Sequence, residues 1–99
     1  MYLVVFRNRK RADMDGASYA ADSVAMEALA ARQPGYLSFK SFVADDGEVV
    51  AISEWENRPA AKAWRKVAEH ADLQARSRRE YYAEYRVITC EDPNEHRWP

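Results

Sequence analysis

The sequence predicts an α+β domain with the element order β-α-β-β-α-β. Three observations carry that reading. Runs rich in β-branched and aromatic residues open and close the chain, "YLVVFR" (Tyr2–Arg7) and "YAEYRVITC" (Tyr82–Cys90). A "DDG" turn (Asp45–Gly47) joins two further runs, "YLSFKSFV" and "EVVAISEW", in the manner of a hairpin. Alanine-rich stretches free of glycine occupy both intervals between these strands, as helices do.

Taken in order, Tyr2–Arg7 reads as a buried strand. The basic run "RNRKR" (Arg7–Arg11) then reads as a solvated loop where the strand leaves the sheet, with an anionic-ligand patch as the alternative. Gly16–Gln33 is the first helix, with Tyr19, Met26, Leu29 and Ala30 near helical spacing on one apolar face. Pro34-Gly35 stops it. In Tyr36–Val43, Leu37, Phe39 and Val43 point one way and Ser38 and Lys40 the other. The return strand Glu48–Trp55 puts Val49, Ala51 and Trp55 on one face, Val50 and Ile52 on the other. Asn57 is placed to cap the next helix, with Pro59 in its first turn. Helical character runs through Ala60–His70 and resumes over Asp72–Glu80. Tyr82–Cys90 is the last strand. The reading is one domain over residues 1–90 and an irregular tail over 91–99.

This order is the split βαβ, or ferredoxin-like, arrangement, an antiparallel sheet with both helices on one face. The opposite face offers Val50 and Ile52 with nothing to cover them, so a homodimer packed through that sheet face is expected.

Composition narrows the function classes. With 15 basic and 16 acidic residues the net charge is −1, which argues against a nucleic-acid partner. Cys90 is the single cysteine, so no disulfide forms within the chain; it reads as a buried thiol near a strand end and suits a reducing cytoplasm. No segment has the form of a signal peptide, and no run approaches the roughly 20 apolar residues of a membrane span, so a cytoplasmic protein is expected, without a membrane partner.

No glycine-rich phosphate loop, metal-ligand spacing or nucleophile elbow is present, and no metal site is expected. The informative stretch is "SEWENRPAAKAWRKVAEH" (Ser53–His70). Trp55 ends a strand and Trp64 lies in the helix that follows, so the pair can wall one cavity or simply fill the core. His70 follows Trp64 by six residues, which puts it about 120° around the helix. It suits either the negative end of the helix dipole or a polar position at a pocket mouth. Arg78 and Tyr82, four apart, can share a face; Tyr81, Tyr82 and Tyr85 suit packing or subunit contacts.

The run from Gln33 to Val87 resembles the antibiotic biosynthesis monooxygenase (ABM) domain. The likeness rests on the "PG" before the second strand, the "WE" of Trp55-Glu56, the helix tryptophan nine residues on, and the series Glu69, His70, Gln74, Arg78, Tyr82 and Tyr85. With the opening strand and first helix it extends from residue 2 to about residue 90. The resemblance implies a dimeric α+β barrel. Some members oxidise aromatic phenols to quinones with molecular oxygen and no cofactor; their pocket tryptophan falls at Trp55, and Ala51 stands where they carry an asparagine. Others bind and degrade haem with an asparagine ending the first strand, the helix tryptophan, and a histidine ten residues later; these fall at Asn8, Trp64 and Gln74.

The expectation is therefore a cofactor-independent ABM-type monooxygenase, or an enzyme derived from one, acting on an aromatic or electron-rich small molecule. Asn8, Trp64 and His70 are the candidate catalytic residues, and Trp55, Gln74, Arg78 and Tyr82 the candidate substrate contacts. The alternatives are a haem-binding, haem-degrading monooxygenase and a non-catalytic small-molecule-binding or structural homodimer. A substrate-sized cavity beside Trp64 separates the enzyme from the structural reading.

Overall fold

A computed structural model describes residues 1–75 and 80–99, the side chains of 72–75 excepted. The elements are β1 (Tyr2–Lys10), α1 (Gly16–Ala31), β2 (Tyr36–Val43), β3 (Val49–Trp55), α2 (Arg58–Ala75) and β4 (Tyr82–Glu91). The four strands form one antiparallel sheet in the order β2-β3-β1-β4, the ferredoxin-like topology.

Local chemistry sets the boundaries. The Asp15 carboxylate caps α1, its Oδ1 accepting from the backbone N–H of Ala17 and Ser18 at 3.1 and 3.2 Å. The helix stops at Ala31, two residues before the expected end, and Gln33 instead donates its side-chain amide to the Leu29 carbonyl at 3.1 Å. Gly35 follows at φ +83°, a left-handed conformation that starts β2. Asn57 caps α2 as expected, accepting from Ala60 N–H at 2.9 Å. That helix continues unbroken from Arg58 to Ala75 rather than pausing after His70, because no glycine or proline interrupts it there.

The basic run is not a solvated loop. β1 continues to Lys10, because β3 pairs with it as far as Asn8 and β4 as far as Lys10, and each of its arginines has an acidic partner. Arg7 grips Glu48 bidentately, Nη2–Oε1 at 2.8 Å and Nε–Oε2 at 3.1 Å. Arg9 reaches Asp46 at 2.8 Å and Glu84 at 3.4 Å. Arg11, just past the strand, pairs with Asp13 at 2.9 Å.

In β2 the register shifts between Tyr36 and Ser38. Tyr36 pairs with Trp55 and Phe39 with Ser53, so Leu37 falls out of the expected alternation with Phe39 and stays 50% exposed. Cys90 is exposed rather than buried: it pairs with Leu3 on the edge strand β4, on the face turned away from the helices. Phe42 and Ile88 are exposed on that same outer face, alongside Leu3, Val5, Val50 and Ile52.

Candidate functional site

Between the inner sheet face and the two helices lies a cavity of about 480 Å³. Its origin is the size of the side chains that meet there. The helices turn Ala30, Ala61 and Ala68 to the sheet, and the sheet answers with Ala51, Ser53 and Ser41. Small residues on both layers leave space that leucine or phenylalanine would have filled.

Two aromatic clusters frame this space. At one end the Trp55 and Trp64 indoles stack, ring centroids 6.1 Å apart and planes at 21°. Trp55 is fully buried; its Nε1–H donates to Ser53 Oγ at 3.1 Å and its ring meets Tyr36 edge-on at 5.6 Å. Trp64 is half-buried and borders the cavity. At the other end Phe6, Tyr19, Tyr81, Tyr82 and Tyr85 pack edge-to-face, with centroids 5.3–6.4 Å apart.

Asn8 lies in this second cluster and is the one buried polar side chain among the described residues, 3% exposed. Its Oδ1 accepts from the Lys10 ammonium, two residues along the same face of β1. The Lys10 Nζ stands 4.6 Å from the centre of the Tyr19 ring and 4.9 Å from that of Tyr82. Burial pushes the Tyr19 hydroxyl up, but hydrogen bonds with Lys10, Ser23 and Tyr82 and the lysine charge outweigh it, and its pKa lies below the usual tyrosine value. Nearby, Tyr81 donates its hydroxyl proton to the Asp22 carboxylate.

The protein-family model for antibiotic biosynthesis monooxygenase matches residues 1–76 of the 99. The chain belongs to the ABM family. The uncharacterised protein YqjZ of Bacillus subtilis is 33% identical over 86 residues, which span 87% of this chain and 74% of that protein. Among solved structures, Rv0793 of Mycobacterium tuberculosis superposes with a TM-score of 0.77 at 20% identity, covering 95% of this chain and 96% of that one. The N63A mutant of SnoaB, a cofactor-independent oxygenase from Streptomyces nogalater, gives 0.75 at 16% identity, covering 95% and 94%. At such identities these two likenesses show the fold alone.

In this ABM domain Asn8, Trp55, Trp64 and Tyr82 all border the one cavity. His70 does not: it lies on the exposed side of α2. Arg78 and the side chain of Gln74 lie outside the described residues. A haem needs an axial ligand; among the described residues no histidine or cysteine lines the cavity, and its tyrosines are the residues there of a type that can ligate haem iron. Nor do the described residues include a group of His, Cys, Asp or Glu placed to hold a metal ion, or a helix long and apolar enough to cross a membrane.

Sequence reasoning missed Lys10, Tyr19 and Ser23 as site residues. The sequence places Tyr19 on an apolar helix face and Lys10 in a loop. The signal for Lys10 was available: the alternation Tyr2, Val4, Phe6, Asn8, continued two residues further, brings Lys10 to the inner face.

Proposed function

We propose that this ABM domain is a cofactor-independent monooxygenase acting on an aromatic or otherwise electron-rich small molecule. The observation that carries the reading is the cavity of about 480 Å³, walled by stacked tryptophans at one end and holding the buried Asn8 amide at the other. That is a shape for a flat, largely apolar ligand with one polar oxygen to be fixed. An ionised phenol is electron-rich enough to pass an electron to dioxygen itself. The protein's share is then to bind the ring, exclude water and stabilise the anion. Trp55 and Trp64 supply the ring's walls and Asn8 a hydrogen bond to its oxygen. SnoaB, a cofactor-independent oxygenase of similar fold, is in keeping with this chemistry.

The test is oxygen uptake by the metal-stripped protein with a panel of hydroquinones, naphthols and anthrones. The reading expects catalytic uptake with at least one of them, undiminished by chelator and impaired by Trp64→Phe. No uptake above the spontaneous rate for any of them, or uptake abolished by chelator, overturns it.

We also infer that the outer sheet face packs against a second copy of the chain. Phe42 and Ile88 stand 49% and 44% exposed there beside Leu3, Val5, Val50 and Ile52, a contiguous apolar surface of the kind that associates. Sedimentation equilibrium tests this: the native chain runs as a dimer, and Ile52→Lys shifts it to monomer.

A further inference from the structure

The buried Asn8 amide has a fixed polarity. An ammonium group can only donate, so the atom facing Lys10 Nζ is the carbonyl oxygen Oδ1. The Nδ2 end meets no acceptor among the described residues. No fully enclosed side-chain nitrogen or oxygen among them lacks a partner, so Nδ2 is open to the cavity that Asn8 lines. Asn8 therefore offers the cavity a hydrogen-bond donor. Behind it stands a positive charge held in a cage of two tyrosine faces, at 4.6 and 4.9 Å from their centres. Donor and cation point the same way chemically: both favour negative charge at this end of the cavity.

We propose that Asn8, Lys10 and Tyr19 form an oxyanion site that binds the ionised oxygen of a phenol or enol, with Asn8 Nδ2 and the Tyr19 hydroxyl as donors and Lys10 as the positioning residue that fixes Asn8 and supplies the charge. This rests on the small-molecule reading of the cavity and adds the residues that supply the charge and the second donor. Binding a neutral phenol there releases its proton to solvent and changes no covalent bond. Among the described residues the charged groups that border the cavity are Asp22, already hydrogen-bonded by Tyr81, and Glu27, Arg58, Lys62 and Arg65 on the helices. Of these, Glu27, Arg58, Lys62 and Arg65 are exposed, so solvent screens them more than it screens Lys10.

A nitrophenol, whose absorbance reports its own ionisation, is the probe. Bound to the wild-type protein its apparent pKa falls by about one unit or more, the shift expected from an opposite charge a few ångströms away. Lys10→Met keeps the aliphatic stem and abolishes the shift; Lys10→Arg restores most of it; Lys62→Met, on the cavity rim, leaves it in place. Circular dichroism confirms that each variant folds. No shift on binding to wild type, an undiminished shift in Lys10→Met, or a shift lost in Lys62→Met instead, each overturns the proposal. Oxygen uptake is read separately with the phenol panel. A nitrophenol shift that depends on Lys10 without oxygen uptake keeps the oxyanion site and removes the oxygenase. Uptake with a Lys10-independent nitrophenol does the reverse.

Discussion

Trp64 lies over Trp55 with its indole tilted only 21° from parallel, and both rings border the cavity, yet Trp55 is wholly buried whereas Trp64 is only half-buried. The stack thus joins a fully packed cavity wall to one with part of its surface still open. Trp55→Ala removes a fully packed indole and costs about 3–5 kcal/mol of stability. Trp64→Phe keeps an aromatic face over Trp55 and costs about 1.5 kcal/mol or less, while binding of an aromatic ligand weakens severalfold. Denaturant unfolding of the two variants, beside ligand titration of Trp64→Phe, checks the division. Equal stability losses would mean that Trp64 is core and nothing more.

Gly35 joins α1 to β2 under two constraints at once. Its φ of +83° is unfavourable for any residue with a side chain, and a Cβ there would stand 2.5 Å from the Cβ of Ala60 on α2. Gly47, in the hairpin, shares the positive φ (+89°) but has open space around it. Gly47→Ala thus costs about 1–2 kcal/mol from backbone strain alone, and Gly35→Ala costs distinctly more. Adding Ala60→Gly to Gly35→Ala recovers the difference. Thermal unfolding of the three variants reads it directly; equal losses at both glycines would remove the contact argument.

The Arg7–Glu48 fork makes stability depend on acid. The hydrogen bond from Arg7 holds the Glu48 carboxyl below the usual glutamate range. Asp46 is held down too, first by the Glu48 N–H and then by Arg9. A carboxyl whose pKa is depressed by folding contributes its full stability above the ordinary value of about 4 and loses it as pH falls through the folded value. Glu48→Gln is accordingly less stable than wild type at neutral pH, and the gap closes as the solution is acidified. Melting temperatures measured across that range give the outcome. A gap that stays constant with pH would show that the fork is not the source.

The topology could be read from the sequence because its signals are local. Pro34-Gly35, the Asp45–Gly47 turn and the Asn57 cap each act within a few residues and mark where elements begin and end. The two tryptophans were legible as candidate cavity walls for a similar reason: strand end and following helix are neighbours in chain and in space. Of the second end only Asn8 and Tyr82 were legible. Lys10, Tyr19 and Tyr82 come together from β1, α1 and β4, and no spacing along the chain encodes that meeting. The basic run also misled, since four basic residues among five suggest solvation until the β2–β3 hairpin supplies Glu48 and Asp46 and β4 supplies Glu84. His70 was suggested by its residue type and its place six residues after Trp64, and the helix turns it outward.

Tyr19 gives that missed cluster a signature of its own. Burial alone would raise its pKa; the hydrogen bonds with Lys10, Ser23 and Tyr82 and the lysine charge bring it below the ordinary tyrosine value of about 10. Because the folded pKa is depressed, the group adds stability above that ordinary value, and the contribution is lost as pH falls through the folded pKa. In an alkaline ultraviolet difference titration of the native protein, one tyrosine ionises ahead of the rest. Tyr19→Phe deletes that early step. Lys10→Met removes both the donor and the charge and moves the step to higher pH, while burial and the hydrogen bonds with Ser23 and Tyr82 remain. An early step that survives in Lys10→Met would show that the ammonium is not what holds the Tyr19 oxygen, and that the cation beside the ring is a packing contact only.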